Sequence, residues 1–145
     1  MTTIGTWSRI ALLIGCTLAM AANGTSAQDT LFADLGGQDA ITKIANDTTD
    51  NFLADDRIKA TFADSDMDRF RRMLAEQFCQ ISGGPCVYTG HNMRDAHKGL
   101  HLKNADFNAV VEDLQKALDK NSIPFATQNR LLARLAPMQH DIVTR

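Results

Sequence analysis

The chain lacks several features that would place it in a common functional class. Its 145 residues include three cysteines, three prolines, one tryptophan and one tyrosine, with a formal net charge of −2. Three cysteines are too few for a small disulfide scaffold. A weakly acidic balance excludes the basic footprint of a nucleic-acid-binding domain. No apolar run reaches the roughly 20 residues that a membrane span needs, so the composition indicates one modest globular domain.

The N-terminal segment has the three-part layout of a secretory signal peptide. Arg9 supplies a positive charge, residues 10–22 form an uncharged run of 13 apolar or small residues, and residues 25–27 read Thr-Ser-Ala. Small residues at the end of such a run suit a signal peptidase. We therefore predict a cleavable signal peptide over residues 1–27, a mature domain over residues 28–145, and export to the bacterial periplasm.

The cysteines fit this prediction. Cys16 lies in the signal segment, where the preceding Leu-Ile-Gly resembles a lipoprotein box, so a lipid anchor at Cys16 is the alternative to simple cleavage. Cleavage leaves Cys79 and Cys86, and an oxidising compartment favours a disulfide between such a pair. A reduced pair, or a zinc site with His91 and His97, remains an alternative, although these spacings match no usual zinc finger.

The dominant sequence period is helical. We predict helices in residues 40–53, from Ser65 to the Gly-Gly-Pro turn at 83–85, in residues 104–120 and after Pro124. Ser65, followed by an acid three residues later, is typical of a helix start. No stretch alternates apolar and polar residues, so no strand is predicted. The fold class is therefore all-α.

Three separate pieces of the chain resemble a single family. Residues 83–100 read GGPCVYTGHNMRDAHKGL, residues 31–41 read LFADLGGQDAI, and residues 53–56 read LADD, followed by Phe62. In order and spacing they resemble the group I truncated haemoglobins, and the resemblance covers essentially all of residues 30–143. It implies a truncated globin fold, a two-over-two helical sandwich around haem b and its iron.

The resemblance also implies the site residues. His97 matches the proximal histidine, whose ring nitrogen binds the haem iron. Phe62 matches a phenylalanine that packs against the porphyrin face. The other expected cofactor contacts are Phe70, Met73, Leu74, Tyr88 and Met93. Taken alone, a single histidine or an apolar stripe is more often a surface or core feature, so these assignments depend on the family. His91, His101 and His140 are expected to be exposed and unligated.

The expected distal ligand pocket departs from the family. It comprises Thr48, Thr49, Phe70 and Leu74, and Thr49 and Leu74 stand where oxygen-retaining relatives usually have a tyrosine and a glutamine. A pocket donor to oxygen is worth ~1.5–3 kcal/mol, so we expect weaker oxygen retention here. Met73 is a candidate sixth iron ligand, and core filling is the alternative.

The resemblance implies reversible binding of O2, CO or NO, for oxygen transport or sensing, with an unidentified electron donor. Two alternatives stay open: a haem enzyme performing nitric oxide dioxygenation or peroxidase-like chemistry, and a haem-free helical interaction protein. Peroxidase chemistry usually needs a distal acid or base, and Thr49, Phe70 and Leu74 supply none. Neither nucleic acid nor a membrane span is expected as a partner.

Overall fold

The computed structural model describes residues 27–144, with side chains from residue 31, and every regular element in that part of the chain is helical. The predicted signal peptide, with Cys16, lies outside the described residues apart from Ala27. The α-helices are α1 (Ala27–Asp34), α2 (Gly37–Ala54), α3 (Met67–Ile81), α4 (Met93–Ala96), α5 (Asn104–Lys120), α6 (Phe125–Leu135) and α7 (Gln139–Ile142). Short 3-10 helices occupy Lys59–Phe62 and Ala136–Met138. Over the described residues, no helix is long and apolar enough to cross a membrane.

Helix α3 begins one residue later than the predicted start. The prediction placed Ser65 at the helix start, but Asp66 is the N-cap, and its carboxylate accepts a hydrogen bond from the Arg69 amide at 3.0 Å. Ser65 instead belongs to the preceding turn, where its amide donates to the Phe62 carbonyl. An aspartate adjacent to the serine therefore satisfies the first free amides of the helix.

Two other predicted boundaries agree with the structure. Helix α5 occupies residues 104–120, as its apolar stripe predicted, and begins where the Lys103 amide donates to Asp106 at 2.8 Å. Helix α6 begins directly after its N-cap, Pro124. Proline suits this position because it has no amide hydrogen, and the amide of an N-cap residue makes no hydrogen bond within the helix. The predicted all-α fold is confirmed.

The helices form two layers around one main core. Helix α2 packs against both α3 and α5, and α6 also contacts α3 and α5. The buried face of α2 presents Ile41, Ile44 and Ala45 at spacings of three and one. These residues share a cluster with Phe78 of α3 and Leu118 of α5. This two-over-two arrangement leaves an apolar space between α3 and α5, beside the main core.

A second, smaller cluster lies at the end of α2. The ring of Phe52 stacks on Phe62 with centroids 5.5 Å apart, and Phe70 meets Phe62 edge-on at 5.3 Å. Ile58 and Ala109 are buried against these rings. The three phenylalanines therefore connect α2, the first 3-10 helix and α3 at one wall of the site described below.

A charged cluster joins α2 to the end of α5. Asp47 accepts hydrogen bonds from Lys120 at 2.7 Å, Asn121 at 2.7 Å and Lys43 at 3.0 Å. The bond from Lys120 is the main cause that holds the pKa of Asp47 well below its ordinary value, with burial opposing it. The ionised carboxylate is thus favoured by folding.

We expect Asp47→Asn to lower the free energy of unfolding by about 1–2 kcal/mol at pH 7, because it removes charge-assisted hydrogen bonds from partly exposed lysines. The pKa of Asp47 is lowered by folding, so this stabilisation is complete above the unfolded value of 3.8 and is lost as the pH falls below it. Urea denaturation at pH 7 and pH 3 measures both. A difference between wild type and variant that is equal at the two pH values would contradict the prediction.

Candidate functional site

Two adjoining cavities lie between α3, α5 and the segment that follows α4. We call the cavity of about 160 Å³ the first cavity and that of about 240 Å³ the second cavity. Their walls are almost wholly apolar. The residues that line both are Phe70, His97, Phe107, Val110 and Ile142. Together the cavities form one apolar space with His97 where they meet.

The seven residues expected to contact the cofactor all line this space. Phe62 lines the second cavity, and Phe70 and His97 line both. The members that line the first cavity alone are Met73, Leu74, Tyr88 and Met93. They come from the first 3-10 helix, α3, α4 and the segments flanking α4, which are far apart in sequence. The fold therefore brings them to one place.

His97 is held by a hydrogen bond within its own turn. It caps the C-terminus of α4, and its ring Nδ1 lies 2.7 Å from the Met93 carbonyl oxygen. Because a carbonyl only accepts, Nδ1 is the nitrogen that donates a hydrogen to Met93. In the neutral ring that binds a metal, Nε2 then presents its lone pair. The N-cap of helix α4 is Asn92, whose side chain accepts a hydrogen bond from the Asp95 amide at 2.9 Å.

These features fit the haem that the resemblance implies. A porphyrin is a flat apolar group, and the two cavities offer apolar walls on both sides of His97. Within residues 31–144, Nε2 of His97 has no hydrogen-bond partner, and a backbone carbonyl at Nδ1 is the usual support of a metal-binding imidazole. His97 would hold the iron, and Phe62 and Phe70 would pack on the macrocycle.

The distal pair of threonines divides between the cavity and the core. Thr48 lines the first cavity, whereas Thr49 is fully buried and lines neither cavity. Both hydroxyls are already used, because Thr48 donates to the Ile44 carbonyl at 2.7 Å and Thr49 to the Ala45 carbonyl at 2.8 Å. The expectation that Thr49 faces the ligand is therefore revised in favour of Thr48, and neither threonine has a hydroxyl hydrogen to spare.

Sequence reasoning missed several wall residues. These are Gln77 of α3, Phe107 and Val110 of α5, Met138 of the second 3-10 helix and Ile142 of α7. Gln77 had a signal, since it lies three and four residues after Leu74 and Met73 on one helix face. Phe107 and Val110 lie on the apolar stripe of the helix predicted over residues 104–120, and such a stripe is equally typical of an ordinary core. Met138 and Ile142 belong to the apolar pattern that follows Pro124, which does not distinguish a cavity wall from an ordinary core.

The other histidines and the cysteines take no part in the cavities. His91, His101 and His140 are exposed. Cys79 and Cys86 form a disulfide with Cα atoms 5.8 Å apart, so neither offers a thiolate to a metal. No group of metal-ligating side chains that could hold an ion occurs in the part of the chain the structure describes. The zinc alternative therefore has no support.

The disulfide is one of several links between α3 and the segment that leads to α4. The Tyr88 amide donates to Gln80 at 2.6 Å, and Thr89 donates to Glu76 through its amide at 3.0 Å and its hydroxyl at 2.8 Å. These bonds from Thr89 lower the pKa of Glu76. Consecutive turns of α3 thus bind the loop from Cys86 to Thr89.

Gly84 makes this close approach possible. A Cβ atom at Gly84 would lie 2.7 Å from Sγ of Cys79 and nearer still to the ring of Phe32. Real Cβ atoms do not come this close to a neighbour, so any larger residue would push the turn away from α3. The glycine is required by packing, since the disulfide and the ring occupy the space that a side chain would take.

Comparison with known proteins agrees with this geometry. The family model described as Bacterial-like globin matches residues 30–144. A Group 1 truncated hemoglobin of Tetrahymena pyriformis is 34% identical over 100 residues, which cover 69% of this chain and 83% of the relative. One from Synechocystis is 37% identical over 99 residues, covering 66% and 80%. The crystal structure of the Tetrahymena pyriformis protein in its Fe(III) form matches with a TM-score of 0.77 and 30% identity, over 79% of this chain and 98% of that one.

Replacing both Cys79 and Cys86 with alanine is expected to lower the free energy of unfolding by about 2–3 kcal/mol, because the cross-link closes a short loop and restricts the unfolded chain. Urea denaturation of the full chain measures the change. Reduced wild-type protein is the control and should lose a similar amount, and equal stability of all three proteins would contradict the prediction.

Proposed function

This chain belongs to the bacterial-like globin family and is a haem-binding globin of the truncated type, and we propose that it binds O2, CO or NO reversibly after export from the cytoplasm. The observation that supports the proposal most is His97, whose Nε2 is free at the junction of two apolar cavities. Haem iron supplies the gas-binding chemistry when bound. The chain would supply the imidazole that holds the iron, the orientation of that ring and an apolar space around it.

The polarity of the cavity favours binding over turnover. No carboxylate lines the first cavity, and the Tyr88 hydroxyl donates to the His91 carbonyl at 2.9 Å. Peroxidase-like chemistry needs a distal acid or base. The carboxylate that lines the second cavity, Asp106, accepts a hydrogen bond from the Lys103 amide at 2.8 Å. Nitric oxide dioxygenation needs oxygen to be retained until nitric oxide arrives, together with an electron donor. The hydroxyls of Thr48 and Thr49 already donate to backbone carbonyls, which argues against strong retention of oxygen.

The export part of the proposal rests on residues 1–27 and on the disulfide. A charge-flanked apolar segment ahead of a domain with a cross-linked cysteine pair is typical of a protein of an oxidising compartment. Expression of the full chain in a bacterium, followed by fractionation and intact-mass measurement, tests it. A periplasmic product that starts at residue 28 supports export. An acylated product instead supports a lipid anchor at Cys16, and an uncleaved cytoplasmic product contradicts export.

The proposal is tested first by His97→Ala in the full chain reconstituted with haem. We expect the wild type to give globin-like ferric, ferrous and carbonmonoxy spectra, and the variant to lose them, because the ring nitrogen that would hold the iron is removed. His101→Ala, which removes an exposed histidine nearby, is the matched control and should match the wild type. Met73→Leu, measured alongside, shows whether a thioether occupies the sixth position.

If wild type and His97→Ala take up haem equally poorly, the gas-binding proposal fails. The haem-free interaction protein then becomes the better description.

Oxygen release is expected to be fast and almost indifferent to the threonines. Thr48→Val and Thr49→Val should each change the oxygen off-rate by less than about threefold, because both hydroxyls are bonded to backbone carbonyls rather than free for a ligand. Stopped-flow or laser-photolysis kinetics measure it. An off-rate that is slow in wild type and rises tenfold or more in Thr48→Val would show that the hydroxyl does reach the ligand.

A further inference from the structure

Helix α4, which carries His97, has little contact with the protein interior. Of its four residues, Arg94, Asp95 and Ala96 are exposed, and Met93 alone is partly buried. Arg94 forms an ion pair with Asp141 of α7 at 2.7 Å. Both side chains are largely exposed to solvent, and such exposed pairs contribute little stability. Helix α4 also packs against α7, and Met93 is its one residue that reaches into the interior.

Met93 accepts hydrogen bonds through both its backbone carbonyl and its side-chain sulfur. Its carbonyl oxygen holds Nδ1 of His97 at 2.7 Å, and its sulfur lies 3.3 Å from Nε2 of Gln77 on α3. The same amide nitrogen lies 3.6 Å from the sulfur of Met138. An unbroken series of contacts therefore runs from Gln77 through Met93 to the ring of His97.

Gln77 has no stronger partner than these sulfurs. Thioether sulfur is a weak acceptor, and within residues 31–144 the side-chain carbonyl of Gln77 has no hydrogen-bond partner at all. The other polar side chains of the first cavity, Thr48, Tyr88 and His97, are each bonded to a backbone carbonyl. Gln77 is thus the one polar side chain of this wall whose contacts are to methionines rather than to backbone.

We propose that Gln77 is a positioning residue for His97, whose amide fixes α4 against α3 through the sulfur of Met93. The inference rests on the proposed function, because the ring it orients is the proposed iron ligand. A glutamine fits this position because its planar amide lies between the sulfurs of Met93 and Met138 and donates hydrogen bonds to them. A leucine of similar size fills the space without donating.

The test uses the full chain with haem, in the ferrous state, and reads the iron–histidine stretching band by resonance Raman spectroscopy. Gln77→Leu and Met93→Leu should shift this band in the same direction, and the double variant should shift it no further than either alone. Met138→Leu is the matched control. It removes the other sulfur that contacts Gln77, but Met138 lies in the second 3-10 helix and not in α4. Haem dissociation from Gln77→Leu should be about three- to fivefold faster than from wild type.

Several results would overturn the inference. They are an unchanged band in Gln77→Leu, additive shifts in the double variant, or a shift in Met138→Leu as large as that in Met93→Leu. A change in the carbon monoxide stretching band with the iron–histidine band unmoved would assign Gln77 to the gas instead, and would also overturn it.

Amide hydrogen exchange in the haem-free full chain separates this inference from the proposed function. The Ala96 and His97 amides, which donate to the carbonyls of Asn92 and Met93, should exchange about three- to fivefold faster in Gln77→Leu and Met93→Leu than in wild type or Met138→Leu. Failure of the wild type to bind haem would contradict the proposed function alone. Equal exchange in all four proteins would contradict the positioning role, whatever the haem does.

Discussion

The hydrogen bond between Nδ1 of His97 and the carbonyl of Met93 is the interaction on which the site depends. It selects the tautomer that leaves Nε2 available, and it sets the direction in which that nitrogen points. The bond joins two residues of the same helical turn, so the position of the His97 ring relative to the haem space depends on the position of α4. Helix α4 has four residues and almost no buried side chain, and its position must therefore come from elsewhere in the chain.

That position comes largely from α3. One face of α3 forms a wall of the haem space through Phe70, Leu74 and Gln77. Further along, Glu76 and Gln80 bind the backbone of the loop that leads to α4, and Cys79 is cross-linked to it. A single helix thus lines the haem space and places the segment that carries the proposed iron ligand.

Features of the fold and the site that are determined by neighbouring residues could be predicted from the sequence, whereas features that depend on tertiary packing could not. The bounds of α5 followed from its apolar stripe, and the wall position of Phe62 and His97 followed from the resemblance to the truncated haemoglobins. The choice between Thr48 and Thr49 did not, because neighbouring residues on a helix point about 100° apart and a one-residue difference decides which faces the cavity. Met138 and Ile142 reach the site only through the packing of the C-terminal segment, which no local pattern encodes. Ser65 was displaced by Asp66 because two adjacent capping residues compete.

The disulfide has a kinetic consequence that follows from the unequal burial of its two sulfurs. Cys79 is fully buried, whereas Cys86 is partly exposed. An external thiolate can attack only the exposed sulfur, and Cys79 must then leave as a thiolate inside the apolar core. Desolvation disfavours that anion, so the leaving group is poor and exchange is slow. The cross-link should therefore persist through transient exposure to small thiols, and the loop that precedes His97 would keep its shape in environments of fluctuating redox state.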